Sequence, residues 1–163
     1  MRNTLSTCRH PWSFIVLIMT MAQLTACGSS PTRTVDIIEK VPTTNRLVTI
    51  ADALEGSPYH YGGTTPSGFD CSGFVFYVHQ KAGINIPRTT AGQFENAEPV
   101  GLTKLHPGDL LFFRLNKRTV SHVGIYTGGG TFIHAPSTGK QVAYDSLSNR
   151  FWGMRLKAAG RFR

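Results

Sequence analysis

Partway along this chain the apolar residues change period, and that change decides the fold class. Phe74, Val75 and Val78 recur at helical spacing, so a helix is predicted over 71–82, with Asp70 as its N-cap and Gly83 as its stop. A shorter helix is predicted over 47–55, closed by Gly56-Ser57-Pro58, and a brief one runs from Thr90, read as its cap, through Phe94. Residues 64–68 read as a loop. From Pro107-Gly108-Asp109, a turn that Asp109 is expected to order, the pattern becomes that of strands. Leu110-Leu111-Phe112-Phe113 is the first, 122–126 alternates as the second, and Gly128-Gly129-Gly130 turns the chain into a third over 131–134. Residues 141–144 read as a fourth strand and 151–156 as the closing one. Helices followed by antiparallel strands make an α+β fold, N-terminal helices packed on a central antiparallel sheet.

The chain ahead of this body reads differently. Arg2 and Arg9 precede an apolar run, Phe14-Ile15-Val16-Leu17-Ile18-Met19, that fades after Ala22. A bilayer span needs about 20 apolar residues, so the run reads as a signal peptide. Leu24-Thr25-Ala26-Cys27 then resembles a bacterial lipobox, which implies cleavage before Cys27 and a diacylglyceryl group on its sulfur. Several acyl chains, each CH₂ contributing about 0.8 kcal/mol, hold a protein on a membrane. An ordinary signal peptide with a chance cysteine and an uncleaved membrane helix are the alternatives. Gly28, rather than aspartate, follows the cysteine, which in a diderm cell resembles an outer-membrane signal; the expected location is the outer membrane, lipid-anchored, with the domain facing the periplasm. The expected organisation is a signal peptide over 1–26, lipidated Cys27 with a Ser/Thr/Pro-rich tether to 46, and one folded domain over 47–163.

The formal charge is +8, and loss of Arg2 and Arg9 leaves +6. The basic residues are scattered, Lys117-Arg118 and Arg161-Phe162-Arg163 are short, and no zinc-finger or glycine-rich phosphate loop occurs. Nucleic acid is therefore not an expected partner. An exported basic domain suits an anionic surface such as cell wall or lipid headgroups.

Of three cysteines, Cys8 falls in the discarded segment and Cys27 in the lipobox, which leaves Cys71 free at a helix start. The unpaired amides and dipole there favour a thiolate, and the amide of Cys71 itself or of Ser72 is placed to face an oxyanion. His122 opens a strand, with Gly124 on the same side leaving room for a helix end or substrate. His134 comes twelve residues later across the glycine turn, so a hairpin brings the two rings side by side. Cys71 is then the candidate nucleophile, His122 its base and His134 the group that orients the base. A buried structural cysteine and a Cys/His metal site are the competing readings; no compact zinc spacing or fourth ligand is evident, and neither metal nor cofactor is expected. His60, His79 and His106 read as surface or loop histidines.

Several segments in this order carry a family likeness: Pro58-Tyr59-His60-Tyr61-Gly62-Gly63, Phe69-Asp70-Cys71-Ser72-Gly73-Phe74-Val75 and Ile86-Pro87-Arg88-Thr89 in the first half, then Leu105-His106-Pro107-Gly108-Asp109-Leu110, Ser121-His122-Val123-Gly124-Ile125-Tyr126 and Phe132-Ile133-His134-Ala135. The chain resembles the NlpC-type family of bacterial cell-wall cysteine endopeptidases, with the closest fit to outer-membrane lipoprotein members. The resemblance implies a compact papain-like fold and the same three catalytic residues. It places the Tyr59 hydroxyl near the oxyanion or substrate, and Arg88 beside the cleft as either a carboxylate contact or a loop anchor. Asp70 reads as a cap or a substrate-side acceptor. The implied substrates are peptidoglycan stem peptides or crosslinks, cut at γ-D-glutamyl–diaminopimelate or at D-alanyl–diaminopimelate. A thiol amidase or acyltransferase with another substrate, and a non-catalytic wall-binding lipoprotein, are the alternatives. A monomer is expected; an adaptor or controlling protease leaves no mark in the sequence.

Overall fold

Asp70 starts the helix on which the rest of the domain is assembled. Its extended backbone (φ −89°, ψ 174°) and its carboxylate, which accepts the Gly73 amide, form an N-cap. The other end closes on Gly83 at φ 81°, where the Gly83 amide donates to Gln80 O and the Ile84 amide to His79 O. That pair of bonds satisfies carbonyls the last turn would leave open. Phe74, Val75 and Val78 are wholly buried, each worth about 1.5–3 kcal/mol.

The computed structural model describes residues 43–116 and 119–163. The stretch read as a signal peptide, Cys27, the stretch read as a tether through residue 42, and Lys117-Arg118 lie outside the described residues. In chain order the elements are α1 (Thr43–Asp52), β1 (Thr64–Thr65), β2 (Gly68–Phe69), α2 (Cys71–Lys81), α3 (Thr90–Asn96), β3 (Glu98–Val100), β4 (Leu110–Phe113), β5 (His122–Gly128), β6 (Thr131–His134), β7 (Ala143–Ser146), α4 (Arg150–Gly153) and β8 (Leu156–Arg161).

Six of the strands form one antiparallel sheet in the order β3-β8-β4-β5-β6-β7. All four β4 residues are buried because both faces of the sheet are covered. Leu110, Phe112, Val123 and Ile125 join Phe74, Val75 and Val78 of α2 in the larger core. Leu111, Phe113 and Phe132 pack on the other face with Trp152 of α4. The α+β layout read from the change of period is the one observed.

Several local readings differ. Helix α1 begins at Thr43, inside the stretch read as tether, and buries Leu47 and Ala51. Residues 64–68, read as a loop, include β1, which pairs with β2 (Thr64 opposite Phe69). The closing strand is β8, because Asn149 accepts the Phe151 amide and caps α4 where alternation alone suggested extended chain. His79, read as a surface or loop residue, is wholly buried; its Nδ1 lies 2.9 Å from Val75 O and its ring stands edge-on to Phe162.

Candidate active site

Cys71 is the first residue of α2, and the turn before it is built to hold it there. The Asp70 carboxylate accepts the amides of Gly73 (2.6 Å) and Gly62 (3.0 Å) and the Ser72 hydroxyl (3.2 Å). Arg88 clamps the same carboxylate at 2.7 and 3.0 Å, and also donates to Ser72 Oγ and Gly63 O. These bonds hold the Asp70 carboxyl below its ordinary range although burial opposes them. Arg88 and Asp70, read from sequence as possible substrate contacts, are thus engaged with each other and with the turn that carries Cys71. Gln93 adds a tie from α3, its Nε2 donating to Ser72 O and Pro87 O.

The thiol sits in a partly dry, mixed environment. Burial pushes the Cys71 pKa up and the Asp70 charge adds to that. The Thr90 hydroxyl, 3.7 Å from Sγ, and the amides of Val123 and Ser72 pull in the opposite direction without cancelling it. In this resting arrangement Cys71 is a protonated thiol, not the thiolate its helix position suggests. Thr90 is free to face the sulfur because Thr89, not Thr90, caps α3 by accepting the Gly92 amide.

The Val123 amide at the sulfur places His122, one residue before it, at the same end of the sheet. His122 Nε2 lies 2.7 Å from His134 Nδ1. The pairing comes from the β5–β6 hairpin, which sets Ile125 opposite Ile133. Gly124 is needed for it: a Cβ there would meet the Phe132 ring at 2.8 Å and His134 Cβ at 3.1 Å. The room beside Gly124 is therefore filled by these rings, not by a helix end or substrate. Trp152 covers both imidazoles, with centroids 5.3 Å from His122 and 4.8 Å from His134. Under this apolar cover His122 falls to about 3, with the second ring contributing, and His134 to about 4, with Lys140 contributing. Both are neutral at neutral pH.

Beside the pair opens a cleft of about 900 Å³, whose lining includes His134, Tyr59, Lys140, Asp145 and Trp152. Tyr59 joins it to the thiol: burial raises the Tyr59 hydroxyl pKa, and the charges of Cys71 and Asp70 raise it further. Among the described residues, no group of three or more His, Cys, Asp and Glu side chains is arranged to hold a metal ion. Sequence patterning missed Thr90, Trp152 and Asp145. The Thr89-Thr90 pair was the available signal for the first, since only one hydroxyl can cap, and Asn149 three residues ahead of Trp152 was the signal for the second.

Comparison with known proteins places this geometry in company. The model of the NlpC/P60 family matches residues 56–161. The probable peptidoglycan endopeptidase LytE of Bacillus subtilis is 45% identical over 119 residues, which are 72% of this chain and 34% of that protein. The murein DD-endopeptidase MepH of Escherichia coli is 42% identical over 111 residues, 65% of this chain and 41% of that one. The chain thus spans well under half the length of these relatives. Among solved structures, the NlpC/p60 domain of the peptidoglycan hydrolase SagA superposes with a TM-score of 0.64 at 35% identity, covering 72% of this chain and 97% of that one. A Bacillus cereus protein of the family reaches a TM-score of 0.71 at 34% identity, covering 74% and 40%.

Proposed function

The chain belongs to the NlpC/P60 family, and from that premise we propose that it is a cysteine peptidase hydrolysing amide bonds in peptidoglycan stem peptides or crosslinks. One observation carries the reading: the only cysteine among the described residues stands at a helix start, touched by the amide next to a histidine whose far nitrogen is bonded to a second histidine. With Nε2 of His122 held by His134, Nδ1 is the nitrogen left to receive the thiol proton. That transfer and attack on the amide carbonyl occur together, since the resting thiol is protonated. The oxyanion meets the Ser72 amide and the Tyr59 hydroxyl. His122 then protonates the leaving amine, and water hydrolyses the Cys71 thioester with the same ring as base.

Relatives with different printed specificities support the substrate class and leave two bonds in play. One is a murein DD-endopeptidase; another, 35% identical over 131 residues, is a γ-D-glutamyl-L-lysine dipeptidyl-peptidase. The proposed bonds are accordingly D-alanyl–diaminopimelate and γ-D-glutamyl–diaminopimelate. Digestion of purified murein by wild-type protein and by Cys71→Ala, with products identified by mass spectrometry, tests both the class and the bond. Absence of any Cys71-dependent product would overturn the hydrolase reading. We also propose, from the lipobox-like Leu24-Thr25-Ala26-Cys27 and from Gly28, an acyl anchor on Cys27 in the outer membrane. An intact mass showing unmodified Cys27 in the membrane fraction would defeat it.

A further inference from the structure

The hydrogen bond between His122 and His134 poses a question of proton placement. For His122 Nδ1 to accept from the thiol, His122 must carry its proton on Nε2 and donate it to His134 Nδ1 across 2.7 Å. His134 Nδ1 is then an acceptor, and its proton sits on Nε2. The opposite arrangement, His134 donating from Nδ1, leaves His122 with a proton on Nδ1 and no base for Cys71. Both rings are neutral and under the same indole, so the pair alone does not select between these arrangements.

Asp145 can select. The β6–β7 register sets Phe132 opposite Asp145 and His134 opposite Ala143, so Asp145 is the diagonal neighbour of His134. Its Oδ2 lies 3.7 Å from His134 Nε2, longer than a hydrogen bond and within reach of a small side-chain rotation. The Ser146 amide donates to the other oxygen, Oδ1, at 3.2 Å, which fixes the carboxylate and leaves Oδ2 toward the ring. The ionisable groups near the two histidines are Tyr59 on the cleft side, Lys140 from the turn before β7, and Asp145; of these only Asp145 carries a carboxylate that can accept a proton from the ring.

We propose that Asp145 is a positioning residue: its Oδ2 accepts the Nε2 proton of His134, which makes His134 Nδ1 an acceptor and keeps His122 Nδ1 free for the thiol proton. The role rests on the peptidase reading. When the Cys71 proton moves to His122, no proton leaves the His122–His134–Asp145 row; the new positive charge is simply held closer to the Asp145 carboxylate.

The test uses the full chain, with Asp145→Asn, which offers a donor as readily as an acceptor, and Asp145→Glu, which restores the acceptor. Long-range ¹⁵N–¹H couplings in histidine-labelled protein report each ring's tautomer without substrate, and the same spectra show that the variants fold. Wild type is expected to hold both rings protonated on Nε2, and Asp145→Asn to show the Nδ1-protonated form of His134. On muropeptides, kcat of Asp145→Asn should fall roughly ten- to hundredfold with KM little changed, and Asp145→Glu should recover part of it. Unchanged tautomers and kcat in Asp145→Asn would overturn the role. A raised KM at unchanged kcat would also overturn it, making Asp145 a substrate contact. If wild type cuts no murein, the peptidase reading fails, and the tautomers still decide whether Asp145 positions the pair.

Discussion

Cys71 and His122 are each neutral at rest, and the cause is water exclusion around each residue. Burial raises the thiol, and burial under Trp152 lowers the imidazole, so a thiolate–imidazolium pair is disfavoured from both sides. In the proposed reaction, charge separation is then driven by the substrate carbonyl and by the amides of Ser72 and Val123. Alkylation of Cys71 by iodoacetamide should accordingly rise with pH, with a midpoint above the ordinary thiol range and no reactive plateau in acid. The Thr90 hydroxyl is the largest of the groups pulling the thiol down, so Thr90→Val should move that midpoint higher and slow alkylation at pH 7 by roughly two- to tenfold. A plateau below pH 6 would show that the ion pair exists at rest. At this scale the positions of Cys71 and both histidines in the candidate site were legible, because a helix cap beside a cysteine and a glycine hairpin between histidines are local signals. Thr90 and Asp145 were not, since each reaches the site only through tertiary placement, and Asp145 lay just past the strand read over 141–144.

The start of α2 is positioned by contact so close that one of its residues can have no side chain. A Cβ on Gly73 would stand 2.0 Å from Gly63 O and 3.0 Å from both Arg88 Nη2 and Asp70 Oδ1. The carbonyl is backbone and cannot step aside without moving the Tyr59–Gly63 segment. Gly73→Ala should therefore destabilise the domain by about 1–3 kcal/mol in urea unfolding. It should also lower murein cleavage more than that loss of folded protein explains, because Asp70, Arg88 and Ser72 share the displaced turn. Wild-type stability and activity in this variant would show that the turn is slack. Elements with strong local signals, α2 with its cap and β4 with its apolar run, were readable as they stand. Where a short segment carried two compatible patterns, register and capping decided: Asn149 turns residues 150–153 into α4, and pairing with β6 sets β7 at Ala143–Ser146.

Three buried histidines tie the stability of the whole domain to pH. His79, His122 and His134 are each lowered from 6.5, to about 4, 3 and 4, with burial the main cause in every case. Each is neutral in the fold and free to protonate at its ordinary pKa once unfolded. The unfolded chain therefore binds more protons than the native one between pH 6.5 and the depressed values, and stability is lost as the pH is lowered through that window. Above the ordinary histidine range the contribution is fully present and the curve is flat in these groups. Each histidine removes about 1.4 kcal/mol per pH unit inside the window, so three acting together remove several kcal/mol over two units, a large part of the roughly 5–15 kcal/mol that keeps a domain folded. Urea midpoints measured from pH 8 to pH 4 should stay level to about pH 7 and then drop steeply. His79 separates this effect from the active site, since its ring faces Val75 O and Phe162, not the cleft. His79→Leu should make the acid limb shallower by about one proton's slope while leaving murein cleavage at pH 7 unchanged. An acid limb of undiminished slope in this variant would assign the loss to other groups.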